Sequence, residues 1–149
     1  MKEKAKAHYN LAVHNYRFFC QVHEKLPDIF YDWKITVLFY SSVHLLRALM
    51  AQRDVDVGDN HEALKRAINP NNSESTLPVK EFCYQAYLVL YNTSFSARYQ
   101  AWLDRDKRKK RMAKDFEKCK KAFNKIDSYV NSQDFPQITI IQQEFEFKE

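Results

Sequence analysis

"DWKITVLFYSSVHLLRALM", residues 32–50, decides the fold. Its apolar side chains, Trp33, Val37, Leu38, Tyr40, Val43, Leu45, Leu46, Leu49 and Met50, spread around most of a helical cylinder. A helix that is apolar on nearly every side must be covered on nearly every side. This one, predicted over about 29–52, therefore belongs at the centre of an all-helical protein.

The flanking sequence supplies the covering helices. Residues 3–26 keep Leu11, Ala12, Phe19, Val22 and Leu26 close to a 3.6-residue period. Pro27 closes that helix, and Asp28 is placed to cap the central one. Beyond it, "DVDVGDNHEAL" (54–64) forms a loop containing Gly58. Asp59-x-x-Glu62 then reads as a capping box for a short helix ending near Ile68. "NPNNSESTLP" (69–78) is a polar linker, with Pro78 in the first turn of a helix running toward Phe95. Phe82, Cys83, Ala86, Tyr87 and Leu90 form its buried stripe. In the last long helix, Met112, Phe116, Cys119, Phe123, Ile126 and Val130 make one apolar seam against lysines and acids. After Pro136, "QITIIQQEFEFKE" alternates enough to be extended. The pattern predicts an antiparallel bundle of four long helices and one short one over residues 1–135. Residues 136–149 follow as a C-terminal tail, extended or packed on the bundle.

Composition narrows the function. A chain of 149 residues, 45% hydrophobic and 29% charged, has ordinary globular proportions and can bury a core. Its one glycine, Gly58, excludes the glycine-rich loops that cradle phosphates and dinucleotides. The net charge of +5 admits an anionic partner. Cys20, Cys83 and Cys119 are odd in number, far apart and inside helical patterns, as expected of reduced thiols in a cytoplasmic protein. "MKEKAKAHYN" lacks the apolar core of a secretory signal. The window Ile35–Met50, interrupted by His44 and Arg47, reads as too short for a membrane span, so no membrane association is expected. His8, His14, His23, His44 and His61 contain neither H-x-x-x-H nor a repeated carboxylate-x-x-His, so neither a metal nor another cofactor is expected.

Two features point to anions. "RDKRKKR", Arg105–Arg111, offers Arg105, Lys107, Arg108, Lys109, Lys110 and Arg111 as contacts to nucleic-acid phosphates, against the reading that they are a solvated helix start. Tyr84, Tyr87, Tyr91 and Phe95 share one helix face, best read as core, that leads directly to Arg98 and Tyr99. An arginine continuing a buried stripe must be paired, sit at an interface or enter a pocket.

Three stretches in order, "DWKITVLFYSSVHLLRALM", "GDNHEALKRAI" and "AYLVLYNTSFSARYQAW", resemble bacterial proteins of the HEPN class (higher eukaryotes and prokaryotes nucleotide-binding domain). The resemblance rests on Asp32-Trp33, Phe39-Tyr40 and His44, on His61-Glu62, and on Leu90-Tyr91 followed by Ser96-Ala97-Arg98-Tyr99. It covers about residues 28–102. It implies a compact helical bundle, commonly a homodimer, from defence, toxin–antitoxin or nucleotidyltransferase-associated systems, with a nucleotidyltransferase-type or antitoxin protein as partner. Many such proteins are metal-independent ribonucleases with an R-x4-6-H motif. Here Leu103, Asp104 and Arg105 occupy the closing positions after Arg98, and no histidine follows. The expectation is thus a non-catalytic nucleotide-, RNA- or partner-binding module. His44, His61, Arg98 and Tyr99 are its pocket residues, against the reading that His44 and His61 each satisfy a structural hydrogen bond, and His44 and Arg98 are expected to share one cleft. The alternative is a divergent endoribonuclease using Arg98 with His44 or His61.

Overall fold

The computed structural model describes residues 1–140. Up to residue 135 the chain forms five α-helices: α1 (Glu3–Lys25), α2 (Tyr31–Gln52), α3 (His61–Ile68), α4 (Glu81–Tyr99) and α5 (Arg105–Ser132). The all-α fold is as expected. α2 packs against α1, α4 and α5, and α4 also packs against α5. The central helix is thus covered from three directions, which is what its nearly continuous apolarity requires. By length and composition α2 does qualify as a membrane span, contrary to the sequence reading, yet 72% of its most apolar window is buried inside the protein.

The α1–α2 contact is the most extensive, and small residues permit it. Ala5, Ala12, Ser41 and Ser42 are completely buried at this seam and elsewhere in the core. Ser41 Oγ donates to the Ala12 carbonyl at 2.8 Å, so its hydroxyl is satisfied across the helix pair. On α5 the expected seam from Met112 to Val130 is buried in full.

Several local expectations are corrected. Asp28 does not cap α2; the chain enters through Phe30 in the left-handed region (φ 58°), with no side-chain cap. α3 is capped one residue later than the Asp59–Glu62 box implies: Asn60 Oδ1 accepts from the Ala63 amide at 2.7 Å. Pro78 precedes α4 rather than opening it, because residues 77–79 are used otherwise. The Leu77 and Val79 amides donate to the Ala67 and Ile68 carbonyls, each at 3.0 Å, closing the end of α3. α4 continues past Phe95 to Tyr99. Leu11, Leu26, Trp33, Phe82 and Phe95 are exposed rather than buried.

Residues beyond α5 fold back on it. The Asp127 carboxylate accepts from the Ile138 amide (2.9 Å), the Thr139 amide (3.4 Å) and the Thr139 hydroxyl (3.2 Å). Tyr9 Oη donates to the Pro136 carbonyl at 2.8 Å. The chain is helical at 138–140, and Ile138 is buried. The rest of the tail expected to be extended or packed on the bundle, 141–149, lies outside the described residues.

Candidate functional site

The start of α2, the last turn of α4 and the first turn of α5 meet around Trp33. Asp104 caps α5 by accepting from the Asp106 and Lys107 amides at 3.0 and 3.1 Å, which fixes how the basic run leaves the loop. A cavity of about 180 Å³ is lined by Asp32, Trp33, Thr36, Arg98, Tyr99, Gln100 and Arg108, with Ala97 and Ala101. A second, of about 500 Å³, lies against Phe30, Tyr31, Arg105 and Lys109 and shares Asp32, Trp33 and Arg108 with the first. A third, of about 300 Å³, is walled by apolar side chains including Phe18, Val22, Leu26 and Phe30, again with Trp33. Trp33, 60% exposed, borders all three. The two larger cavities fall within the size range of small-molecule sites.

Arg98 gives the first cavity its charge. Its Nη1 donates to the Tyr40 hydroxyl at 2.9 Å and its Nε to the Ser94 carbonyl at 3.2 Å. The guanidinium carbon lies 5.9, 5.7 and 5.3 Å from the ring centroids of Phe39, Tyr40 and Tyr99. Those are cation–π distances. Arg98 forms no ion pair among the described residues, and Nη2 has no hydrogen-bond partner among them. The Tyr40 and Ser94 bonds therefore orient a half-buried cation and leave one edge of its fork unused. Arg108 differs: it is ion-paired with Asp32 at 3.3 Å and also reaches the Ala97 carbonyl at 3.4 Å. Tyr99 (68% exposed) packs on Phe95 (59% exposed) with centroids 5.0 Å apart. The cation is thus flanked by exposed aromatic surface on both the Trp33 and the Tyr99 side.

The histidines lie farther along the same face of α2. Tyr40, His44 and Arg47 are one turn apart and all half-buried. One imidazole of His8 and His44 donates to the other, Nδ1 to Nδ1, at 3.1 Å. His61 packs its ring on Phe39 and Tyr40 at 5.1 and 5.9 Å. Burial, then His8, Arg47 and His61, push His44 down to about 4. His8 and His61 are lowered too, first by burial and then by Arg47. Arg47 itself donates to the Gly58 and Asn60 carbonyls, at 2.6 and 3.4 Å, holding the approach to α3.

The expected set is therefore divided. Arg98 and Tyr99 line the cavity by Trp33; His44 and His61 are not among its lining residues, and His44 is turned toward His8. The shared cleft of His44 and Arg98 becomes two neighbouring patches bridged by Tyr40 and His61. Of the basic run, Arg105, Arg108 and Lys109 border the larger cavity, while Lys107 and Lys110 are exposed away from it. Arg111 pairs with Asp115 at 3.4 Å. The sequence reading missed Trp33 as a site residue. A helix apolar all round has no phase, so nothing in it marks the side left open. Cys83 and Cys119 are pushed up to about 12 by burial, the behaviour of inert core thiols. The described residues hold no group of three or more side chains suited to bind a metal.

Compared with protein-family models, with curated proteins and with solved structures, the chain finds no match.

Proposed function

We propose that this chain is a HEPN-like helical binding module that takes a nucleotide or single-stranded RNA at the Trp33–Arg98–Tyr99 cavity and the larger one sharing Asp32, Trp33 and Arg108 with it, and does not cleave it. The observation that carries the reading is Arg98, a half-buried guanidinium without a carboxylate partner among the described residues, held by Tyr40 and bordered by exposed aromatic rings. A cation aimed at a phosphate beside faces on which a base stacks is the usual combination for unpaired nucleotides. The absence of catalysis is supported by the histidines. Proton transfer near neutral pH works best with a group that titrates there, and His44 is held at about 4. The reading includes self-association, supported by the exposed Leu11 and Phe18 on α1 and Leu26 just after it.

Trp33 provides the test. The chain has two tryptophans, and a base stacking on Trp33 quenches its emission. Titration with a short single-stranded RNA is expected to quench the protein's fluorescence to saturation, and Trp33→Phe to remove most of that change. No spectral response at any RNA concentration up to the millimolar range would refute the cavity as a nucleotide site.

A further inference from the structure

The outer face of α5 carries a row of lysines that the cavity does not use. Lys107, Lys110, Lys114, Lys118, Lys121 and Lys125 are all exposed. At about 100° and about 1.5 Å per residue, they fall in an arc of about 80° and run about 27 Å along the axis. Between positions 107 and 125, every residue in that arc is a lysine. Asp106, Asp115 and Glu117 flank it; Asp115 and Glu117 are occupied by Arg111 at 3.4 Å and Lys120 at 3.0 Å, and Asp106, beside Lys107, pairs with none of the six. None of the six has an ion-pair partner among the described residues. α5 carries eleven lysines and arginines against four acids, so this one helix exceeds the whole chain's net charge of +5. Lys110, Lys114 and Lys118, and again Lys121 and Lys125, are like-charged i,i+4 neighbours, an arrangement that weakens a helix standing alone.

We propose that this face of α5 docks on the phosphate backbone of double-stranded nucleic acid. The composition of the arc selects that partner. It holds no aromatic ring, so an unpaired strand would gain no stacking there. It holds no apolar residue, so it has nothing to insert into a bilayer. Lysine ammonium groups are compact point charges without the planar fork that reads base edges. A row of such charges matches a partner that keeps its bases inside and turns phosphates outward along its whole length. Its length corresponds to about eight base pairs at about 3.4 Å each. Binding through phosphates alone positions the protein and carries no sequence information. None of the six lysines borders the Trp33 cavities, so this surface is independent of the nucleotide reading above.

The test is fluorescence anisotropy with labelled duplexes of two unrelated sequences, from about 50 to about 200 mM salt. Both duplexes are expected to bind equally, with affinity falling about a hundred-fold across that range as about four phosphates are neutralised. Replacing Lys114, Lys118, Lys121 and Lys125 together by glutamine, which forms helix about as well as lysine, should remove most of the binding and flatten its salt dependence. The Trp33 response to short RNA should survive in the same variant. The proposal is overturned by an absence of duplex binding at the lowest salt or by a variant that binds duplex like the wild type. Tighter binding to polyglutamate or to anionic vesicles than to duplex would equally overturn it. Loss of the Trp33 response in the wild type would count against the nucleotide cavity alone.

Discussion

Arg98 donates from Nη1 to the Tyr40 hydroxyl at 2.9 Å, tying the last turn of α4 to the middle of α2. Tyr40 stands one helical turn before His44, so the same side of α2 carries the guanidinium contact and then the imidazole pair. The bond explains why an arginine can follow the buried residues of α4. Its charge stays half-exposed while its stem and one edge of the fork are satisfied.

Acid should destabilise the protein through the histidine patch. For His44 the folded-state value is about 4 against an ordinary 6.5. A base whose value is lowered by folding contributes stability that is complete above about 6.5 and is lost as pH falls toward about 4. His8 and His61 shift in the same direction, with Lys4 and Arg47 opposing protonation of His8 and Asp59 favouring it. Thermal unfolding from pH 7 down to pH 4.5 should show Tm falling through this window. His8→Gln with His44→Gln should fall less. An equal fall in the double variant would place the acid sensitivity elsewhere.

Tyr87 is completely buried, and its hydroxyl has no hydrogen-bond partner among the described residues. Removing an unsatisfied buried hydroxyl while keeping the ring should relieve a desolvation cost of about 1 kcal/mol. Tyr87→Phe is therefore expected to match or exceed wild-type stability in urea unfolding. A clear loss would reveal a partner for that oxygen, such as a buried water.

Asp127 holds the chain after α5 through three accepted hydrogen bonds. Asp127→Ala should cost about 1–3 kcal/mol, since it leaves buried amides unpaired. Faster amide exchange is expected at Ile138 and Thr139, with the five helices intact. Unchanged exchange at those two amides would show that Tyr9 and the buried Ile138 hold the segment without the carboxylate.

The helices were legible because their signals are local. The α5 seam repeats cleanly from Met112 to Val130, and α2 announces its central place by being apolar on every side. What stayed hidden depends on neighbours. Asn60 takes the cap from Asp59 because the turn at Gly58, held by Arg47, sets where α3 begins. Pro78 lies outside α4 because Leu77 and Val79 donate back to α3. Trp33 and Phe82 look like core in the sequence and are open in the fold, since an apolar period reports a face and not whether anything covers it. The interrupted stripe at Arg98 was readable. That His44 would turn to His8 on α1 was not, because the pairing joins residues on different helices.

Self-association through the exposed apolar face of α1 is expected to yield a dimer at micromolar concentration. Leu11→Lys together with Phe18→Lys should return it to a monomer in light scattering while leaving helix content unchanged. A wild-type chain that scatters as a monomer across the accessible range would contradict this.

The most direct measurement of the central claim is the affinity of Arg98→Ala for a short single-stranded RNA, followed through Trp33 emission, with its unfolding recorded in parallel. The substitution should weaken binding at least about ten-fold, equivalent to about 1.4 kcal/mol. It should cost about 1 kcal/mol of stability through the lost Tyr40 bond, with cooperative unfolding retained. Arg98→Lys, which keeps the charge but not the fork, should bind between the two. An Arg98→Ala protein that folds and binds RNA as tightly as the wild type would contradict the claim that this guanidinium is the anion contact of the site.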